Sequence, residues 1–544
     1  MNTHPGAQQT AVLIVGGGIT GLSAALFLAR LGIRPILVER HPTTAIMPQA
    51  RAFNPRSMEI YRALGLESDI RNHQSMLVDF PEMIGADTLF GQERFRVDLL
   101  AHVRPPECLS PTDWGMIDQD ELECIVRAAA ESSGADVRFG TELLSFDSHD
   151  AGVTALVREL GSGAEYRVHA EYLIAADGHR AGIRNRLGIG VDHPDASGTA
   201  VFFLFDADLD AALRGRRFLL AYLDRPSTGT VLVPLRKFGR WMLGVPYQPE
   251  PGESAADFSE QRCIELVRHA VGMEDLDITL IPPVPGLPHK VSFVTGGGWV
   301  ANQYRAGRVF FAGDAAHVVP PSGSFGANTG IADGHNLAWK LAAVLNGQAG
   351  DALLDTYEDE RRPVAQTTLD TAMQLLHDRH QSTGDDVTKI DDLTMILGYR
   401  YRSTAILAET PASDRPVEDP RTPSGRPGFR APHVWLHRGG TKLSTVDLFD
   451  GAFTMLVGRD SAEWTTAAEK TATALNLDVH IHHIGTDFDD LDNHFPAAYG
   501  ITHTGATLVR PDGFVAWRAA DLPAEPDREL LQALTRLLAR GNHG

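Results

Sequence analysis

The residues whose spacing carries chemistry are three glycines and three carboxylates, each at the end of an apolar run. Gly16, Gly18 and Gly21 form G-x-G-x-x-G directly after the run 12–15, and Glu39 closes the run 36–38. Asp177-Gly178 closes the run 172–176, and Gly313-Asp314 the run 309–312. A carboxylate at a strand end accepts from ligand hydroxyls, while a glycine turn opening a helix offers backbone N–H groups to phosphate. That chemistry is nucleotide binding. Hydrolysis is excluded as a starting point because no G-x-S-x-G elbow supplies a nucleophile.

These residues require particular elements to hold them. The run 12–15 reads as a buried strand, residues 22–31 as a helix capped at Gly32, and residues 36–38 as the next strand. In that unit the first glycine makes the tight turn, the second admits the pyrophosphate, and the third lets the helix pack on the strand. Glu39 follows Gly21 by 18 residues and is placed to accept from a ribose hydroxyl; Arg40 beside it joins the expected cofactor set. The unit does not separate FAD from NAD. After Asp314 come a Pro320-Pro321 corner and a loop, then a helix with apolar positions Ile331, Leu337, Ala338, Leu341 and Leu345. Its start near Gly326, Ala327 and Asn328 brings a positive dipole end to the same corner.

Composition bounds the rest. A chain of 544 residues, 43% hydrophobic and 22% charged, is expected to hold about three globular domains. A formal charge of -21 argues against nucleic acid and anionic membranes as partners. Cys108, Cys124 and Cys263 have neither metal nor redox spacing, which fits a reducing cytoplasm. The segment MNTHPGAQQT carries no basic region, and no signal peptide or membrane span is expected. His480, His482 and His483, or His377 with His380, have no accompanying carboxylate or cysteine at a recognisable metal-ligand distance, so no metal is expected. The run Asp487, Asp489, Asp490 and Asp492 lacks the glycine and distal glutamate of a calcium loop.

Arg308, Gly313, Asp314 and the Pro-Pro corner resemble the second FAD-binding motif of the class A flavin-dependent aromatic hydroxylases, the para-hydroxybenzoate hydroxylase-like monooxygenases. Gln49-Ala50-Arg51-Ala52 is similar to the segment in which an arginine of that family reaches the pyrophosphate or flavin, and Gln119 to its nucleotide-contacting glutamine. Asp177-Gly178 with Arg184 resembles the family's Asp-Gly motif, except that Ala181 stands where a serine is usual. Ser324 likewise stands where glycine is usual. The resemblance covers residues 10 to about 400 and implies an α/β fold: a Rossmann-like FAD-binding domain, an inserted mainly antiparallel-sheet substrate domain, and a thioredoxin-like C-terminal domain without cysteines. Residues 1–75, 113–190 and 291–408 would form the FAD part, 76–112 and 191–290 the substrate part, 409–432 a Pro-rich linker, and 433–544 the last domain.

It also implies a reaction. NADPH or NADH would reduce FAD transiently, and O2 would form a flavin C4a-hydroperoxide that hydroxylates a phenolic or polycyclic aromatic small molecule, as in polyketide tailoring. Backbone groups of Pro320 and Pro321, with Arg51, would serve the chemistry; Phe203, Tyr222 and Trp241 are the expected pocket residues. Baeyer–Villiger, epoxidising or antibiotic-inactivating relatives, a flavoprotein limited to hydride transfer or aromatic-ligand binding, and a homo-oligomeric assembly stay open. A flavin halogenase is set aside because no W-x-W-x-I-P element is present.

Overall fold

A computed structural model describes residues 7–44, 50–101, 103–192, 199–235, 239–247, 258–286, 288–295, 297–320, 322–380, 391–409 and 416–541. Its first sheet runs Arg305–Ala306, Val309–Phe311, Glu165–Ala175, Gln8–Val15, Ile36–Glu39, Asp136–Phe139, with the strands Thr141–His149 and Gly152–Glu159 attached. Gln8–Val15 pairs in parallel with both Ile36–Glu39 and Glu165–Ala175, and Val309–Phe311 extends the parallel set. Val12, Leu13 and Ile14 have no exposed surface. A strand covered on both faces is continuously apolar, which is why these runs do not alternate. The parallel order brings the strand-end residues Gly16, Glu39, Asp177 and Gly313 to one edge of the sheet.

The helix Ile19–Arg30 lies against the helix Phe325–Leu345. Small residues allow this: a Cβ on Gly330 would overlap the Thr20 hydroxyl, and one on Gly334 would press on Ala24.

The second sheet is the inserted one. Its order is Thr279–Ile281, Thr199–Asp206, Arg240–Tyr247, Thr230–Leu235, Leu220–Leu223, Glu82–Ala86, Glu93–Asp98. All neighbours are antiparallel except Leu220–Leu223 with Glu82–Ala86. Val291–Thr295 also pairs with Thr199–Asp206, so this strand belongs to the inserted sheet rather than to the part that begins at residue 291 in the sequence reading. The helix Glu260–Val271 covers one face, where Phe203, Phe205, Trp241 and Leu243 pack on Cys263 and Val267. Leu204, Leu220, Val231, Val233 and Met242 form the opposite face.

The C-terminal sheet has the order Val479–Ile484, Phe453–Gly458, Ala506–Val509, Val515–Ala519, with only its first pair parallel. The helices Glu463–Leu475 and Pro526–Leu537 pack together on it, a thioredoxin-like arrangement. The described part of the Pro-rich segment is more than a surface connection, because Arg430 is buried against Glu59 at 2.9 and 2.5 Å.

The C-terminal domain also inserts a charged turn into the first. Arg510 binds both oxygens of Glu360, at 2.6 and 2.9 Å, and Lys340 reaches the same carboxylate at 2.8 Å. Asp512 accepts from Asn336 at 3.1 Å through its side chain and from Arg56 at 2.5 Å through its carbonyl. All of these groups are buried. Removing one member strands its partners in a low dielectric, so Arg510→Met is expected to destabilise by about 3–5 kcal/mol, read from the guanidinium midpoint. A loss below about 1 kcal/mol would mean that the pair behaves like a solvated surface contact.

Candidate active site at two converging helix N-termini

Two helix starts meet at the edge where the parallel strands end. Gly18 caps Ile19–Arg30 and Ser324 caps Phe325–Leu345, neither with a side-chain hydrogen bond to the helix. Thr20 lies between Gly313 and Gly330, close enough that a Cβ on either glycine would overlap its hydroxyl. First-turn N–H groups have no intrahelical acceptor and carry the positive end of the dipole, so the pair of termini favours a polyanion. Gly16, at φ +113°, makes the expected tight turn under Ala176, and Gly21 packs on the Gly16 carbonyl. Among the described residues, an added Cβ at Gly18 would meet only Glu123 Oε1, at 3.9 Å, and one at Gly326 nothing within 4 Å. The cradle is open at those two glycines.

The strand-end carboxylates are held differently. Glu39 accepts from the Gly17 N–H at 2.7 Å and the His41 N–H at 2.8 Å. Burial pushes its carboxyl up, but the hydrogen bonds from His41 and Gly17 outweigh it and keep it below the ordinary value. Asp177 accepts from the Ile183 N–H at 3.0 Å through Oδ2, while its Oδ1 is buried without a partner among the described residues. Asp314 accepts no hydrogen bond among the described residues, and burial raises its carboxyl despite His317 and His179 nearby. Both are acceptors waiting for donors.

A buried set of charges fixes the Asp314 turn. The Gly313 N–H donates to Asp333 Oδ2 at 3.0 Å, His317 Nε2 meets the same oxygen at 2.7 Å, and Arg361 Nε donates to Oδ1 at 2.7 Å. Burial alone would raise the Asp333 carboxyl; Arg361 and His317 outweigh it and bring it to about 2. Asp333 therefore stays ionised and holds the turn.

Arg51 stands across the cradle. Its Nε donates to Asp118 at 2.8 Å and its Nη1 reaches the Leu219 carbonyl at 3.5 Å, while Nη2 is buried with no partner among the described residues. Gln119 pins the loop before Arg51 by exchanging bonds with Ala50, each 3.0 Å, and donates to Glu123 at 2.8 Å.

A ribose hydroxyl donor for Asp314 or Asp177, a phosphate for the helix termini and the unpartnered Arg51 N–H, and open space at Gly18 and Gly326 together fit FAD. Comparison with known proteins agrees. The family described as FAD binding domain matches residues 9–372, and that described as aromatic-ring hydroxylase, C-terminal matches residues 424–541. The chain belongs to the FAD-dependent aromatic-ring hydroxylases. It is 41% identical to tetracenomycin A2 monooxygenase-dioxygenase of Streptomyces glaucescens, over 98% of this chain and 97% of that one. It is 40% identical to an aklavinone 12-hydroxylase of Streptomyces purpurascens, over 99% and 100%. The crystal structure of an aklavinone-11 hydroxylase with FAD and aklavinone superposes with TM-score 0.89 at 39% identity, over 99% of this chain and all of that one.

The fold places Gly16, Gly18, Gly21, Glu39, Asp177, Gly313, Asp314, Gly326 and Ala327 around one sheet edge and the two helix starts. Arg40 is exposed beside Glu39. Asn328 presents its backbone to the first helical turn, but its side chain is occupied elsewhere: Oδ1 accepts from Asn54 N at 2.9 Å and Ser57 Oγ at 2.6 Å, and Nδ2 donates to the carbonyls of Ala52 and Ser324. Pro320 is buried against Gly298; Gln49 and Pro321 lie outside the described residues, as do the side chains of His377 and His380.

Two expected pocket residues are corrected. Phe203 and Trp241 sit in the core under the helix Glu260–Val271, where the Trp241 indole donates to the Ala207 carbonyl at 3.1 Å. Alternation along the strand turns Tyr222, between the buried Ala221 and Leu223, to the opposite face. Sequence reasoning missed Glu123, Asp333 and His317. The His in Gly313-Asp314-Ala315-Ala316-His317 and the carboxylate sixteen residues later on an apolar helix were the available signals.

Lysine at position 51 can keep a charge but cannot bond Asp118 and a cofactor oxygen with one planar fork. Arg51→Lys is expected to weaken FAD binding at least about tenfold, measured by titrating the deflavinated protein. An unchanged dissociation constant would remove Arg51 from the cofactor site.

Proposed function

We propose that this hydroxylase uses NADPH or NADH and O2 to hydroxylate a phenolic, polycyclic aromatic substrate, as a tailoring step on an aromatic polyketide-type skeleton. The observation that carries this reading is the end-to-end similarity to enzymes named for tetracenomycin and aklavinone, extending through the substrate sheet and the C-terminal domain. The structure supports it with an apolar face on the side of the substrate sheet away from its helix, where Leu220, Val231 and Met242 are partly exposed around the buried Leu204 and Val233. Such a face suits a planar ring system.

Bound FAD supplies the hydride acceptor and the centre at which oxygen is activated. The protein's own residues hold and orient. Arg51 and the two helix termini bind the anionic cofactor, and Asp314 and Asp177 accept from its hydroxyls. The apolar face positions the ring and keeps water from the reacting centre, while the backbone carbonyl of Pro320 orients the substrate hydroxyl. Arg184 packs over Trp299 at 4.4 Å beside Asp177, where a transient nicotinamide can approach. Free Cys108, Cys124 and Cys263 support a cytoplasmic location; no described helix is long and apolar enough to cross a membrane.

Incubation with NADPH or NADH, 18O2 and a panel of polycyclic phenols tests the reading. One compound is expected to accelerate pyridine-nucleotide oxidation and gain a single labelled oxygen; two labelled oxygens would make the enzyme a multiple oxygenase, and reduction without any label a hydride-transfer flavoprotein. The face assignment has its own test. Met242→Trp is expected to raise KM for that compound at least about tenfold, a loss of about 1.4 kcal/mol of substrate binding, with FAD affinity unchanged. Phe203→Ala, in the core, is expected to destabilise by about 3–5 kcal/mol without altering the preference among substrates. The reverse pattern would place the pocket under the helix.

A further inference from the structure

Glu123 is a carboxyl that the cofactor reading does not use, yet it stands in the cofactor's cradle. It is 5% exposed. Its Oε1 accepts from Gln119 Nε2 at 2.8 Å and, among the described residues beyond the neighbouring chain, is the only atom within 4 Å of a Cβ built on Gly18, the glycine at the open mouth of the first helix. The Ile19 N–H, first of that helix, is also within its reach.

The groups facing Glu123 come from several elements. Asp120 and Cys124 share its helix, Gln119–Ser132; Glu39 approaches from the end of Ile36–Glu39; Tyr61 approaches from the helix Pro55–Ala63. The helix Ile19–Arg30 offers a backbone dipole and no nearby side-chain charge. No lysine or arginine is among the main influences on it from the described residues. Burial pushes the carboxyl up, the Gln119 and Ile19 N–H groups pull it down, and Asp120 and Glu39 push it up again, for a result of about 8. A pyrophosphate arriving at the same helix terminus adds negative charge beside it, which favours the protonated form further.

The geometry points to Glu123 as a cofactor-site residue that carries its proton when FAD is bound and donates it to an oxygen of the cofactor's phosphate–ribose portion next to Gly18. Gln119 and Ile19 occupy the carboxyl's acceptor positions, and the O–H is the one donor it has left to offer. A Glu123 carboxylate and the bound pyrophosphate then never face each other at the helix mouth. Binding above the titration of the free protein must then take up a proton, so affinity falls with rising pH.

The test uses the full-length protein, deflavinated and titrated with FAD from pH 6.5 to 9.5 by flavin fluorescence and by calorimetry in buffers of different ionisation enthalpy. In the unmodified protein the dissociation constant is expected to stay level up to about pH 8 and then to rise toward tenfold per pH unit, with most of a proton taken up at pH 8.5. Glu123→Gln keeps a donor and the shape while losing the titration; it is expected to bind within about threefold of the low-pH affinity, with a level pH profile and no proton uptake. A structural cap alone would not move the pH profile. Binding without proton uptake in the unmodified protein, or the same alkaline weakening in Glu123→Gln, overturns the assignment. If the variant does not fold, proton uptake by the unmodified protein decides on its own.

Discussion

The site depends on how closely two helices approach at Thr20. Its hydroxyl occupies the space that a side chain at Gly313 or Gly330 would need, and Gly334 repeats the arrangement one turn on against Ala24. Those small residues set Ile19–Arg30 and Phe325–Leu345 side by side with their N-termini at the same sheet edge. Each terminus alone is a modest anion site worth a fraction of a kcal/mol to a few. Together, with neither capped by its own cap residue and only the Ile19 N–H engaged by Glu123, they offer first-turn N–H groups to one anionic ligand. The glycines at the motif's start and the glycines at position 313 and beyond thus serve one constraint from opposite ends of the chain.

The helix Phe325–Leu345 is held along its length by buried polar residues. Asn328 clasps the segment 52–57, Asp333 holds the Gly313 turn, and Asn336 and Lys340 engage the charged turn of the C-terminal domain. Burial lowers the Lys340 ammonium to about 8 against the pull of Glu360, while Arg510 and Lys340 keep the Glu360 carboxyl far below its ordinary value. A buried ion network of this kind adds little net stability compared with an apolar core but rejects misplaced arrangements, since any shift strands a charge. The C-terminal domain has no cysteine for redox work, and its charged turn packs on Asn336 and on the Glu360 carboxylate that Lys340 also reaches.

What was legible in the sequence was whatever a backbone demands locally. Gly16, Gly21 and Gly313 occupy conformations or clearances that exclude a side chain, so their spacing could be read without the fold. The face of a strand buried on both sides could not. The run Val201–Phe202–Phe203–Leu204–Phe205 is apolar throughout, and only the helix Glu260–Val271 decides that Phe203 and Phe205 are core and that Leu204 lies opposite. Trp241 was misread for the same reason. Glu123, in the acidic run from Asp118 to Glu123, looks solvated until the helix is placed against Gly18, and Arg510-Pro511-Asp512-Gly513 looks like an ordinary hairpin turn until Glu360 and Asn336, more than 140 residues earlier, meet it. Long-range pairing carries no local signature.

A crystal structure of the hydroxylase with FAD tests the central claim most directly, because the claim is that two helix termini serve one cofactor. The pyrophosphate is expected beside Gly18 and the Arg51 guanidinium, with the flavin ring over the N–H groups of Phe325, Gly326 and Ala327. A cofactor bound at the first terminus with its ring away from the second would contradict it, and would leave the close approach at Thr20 as packing without a role in catalysis.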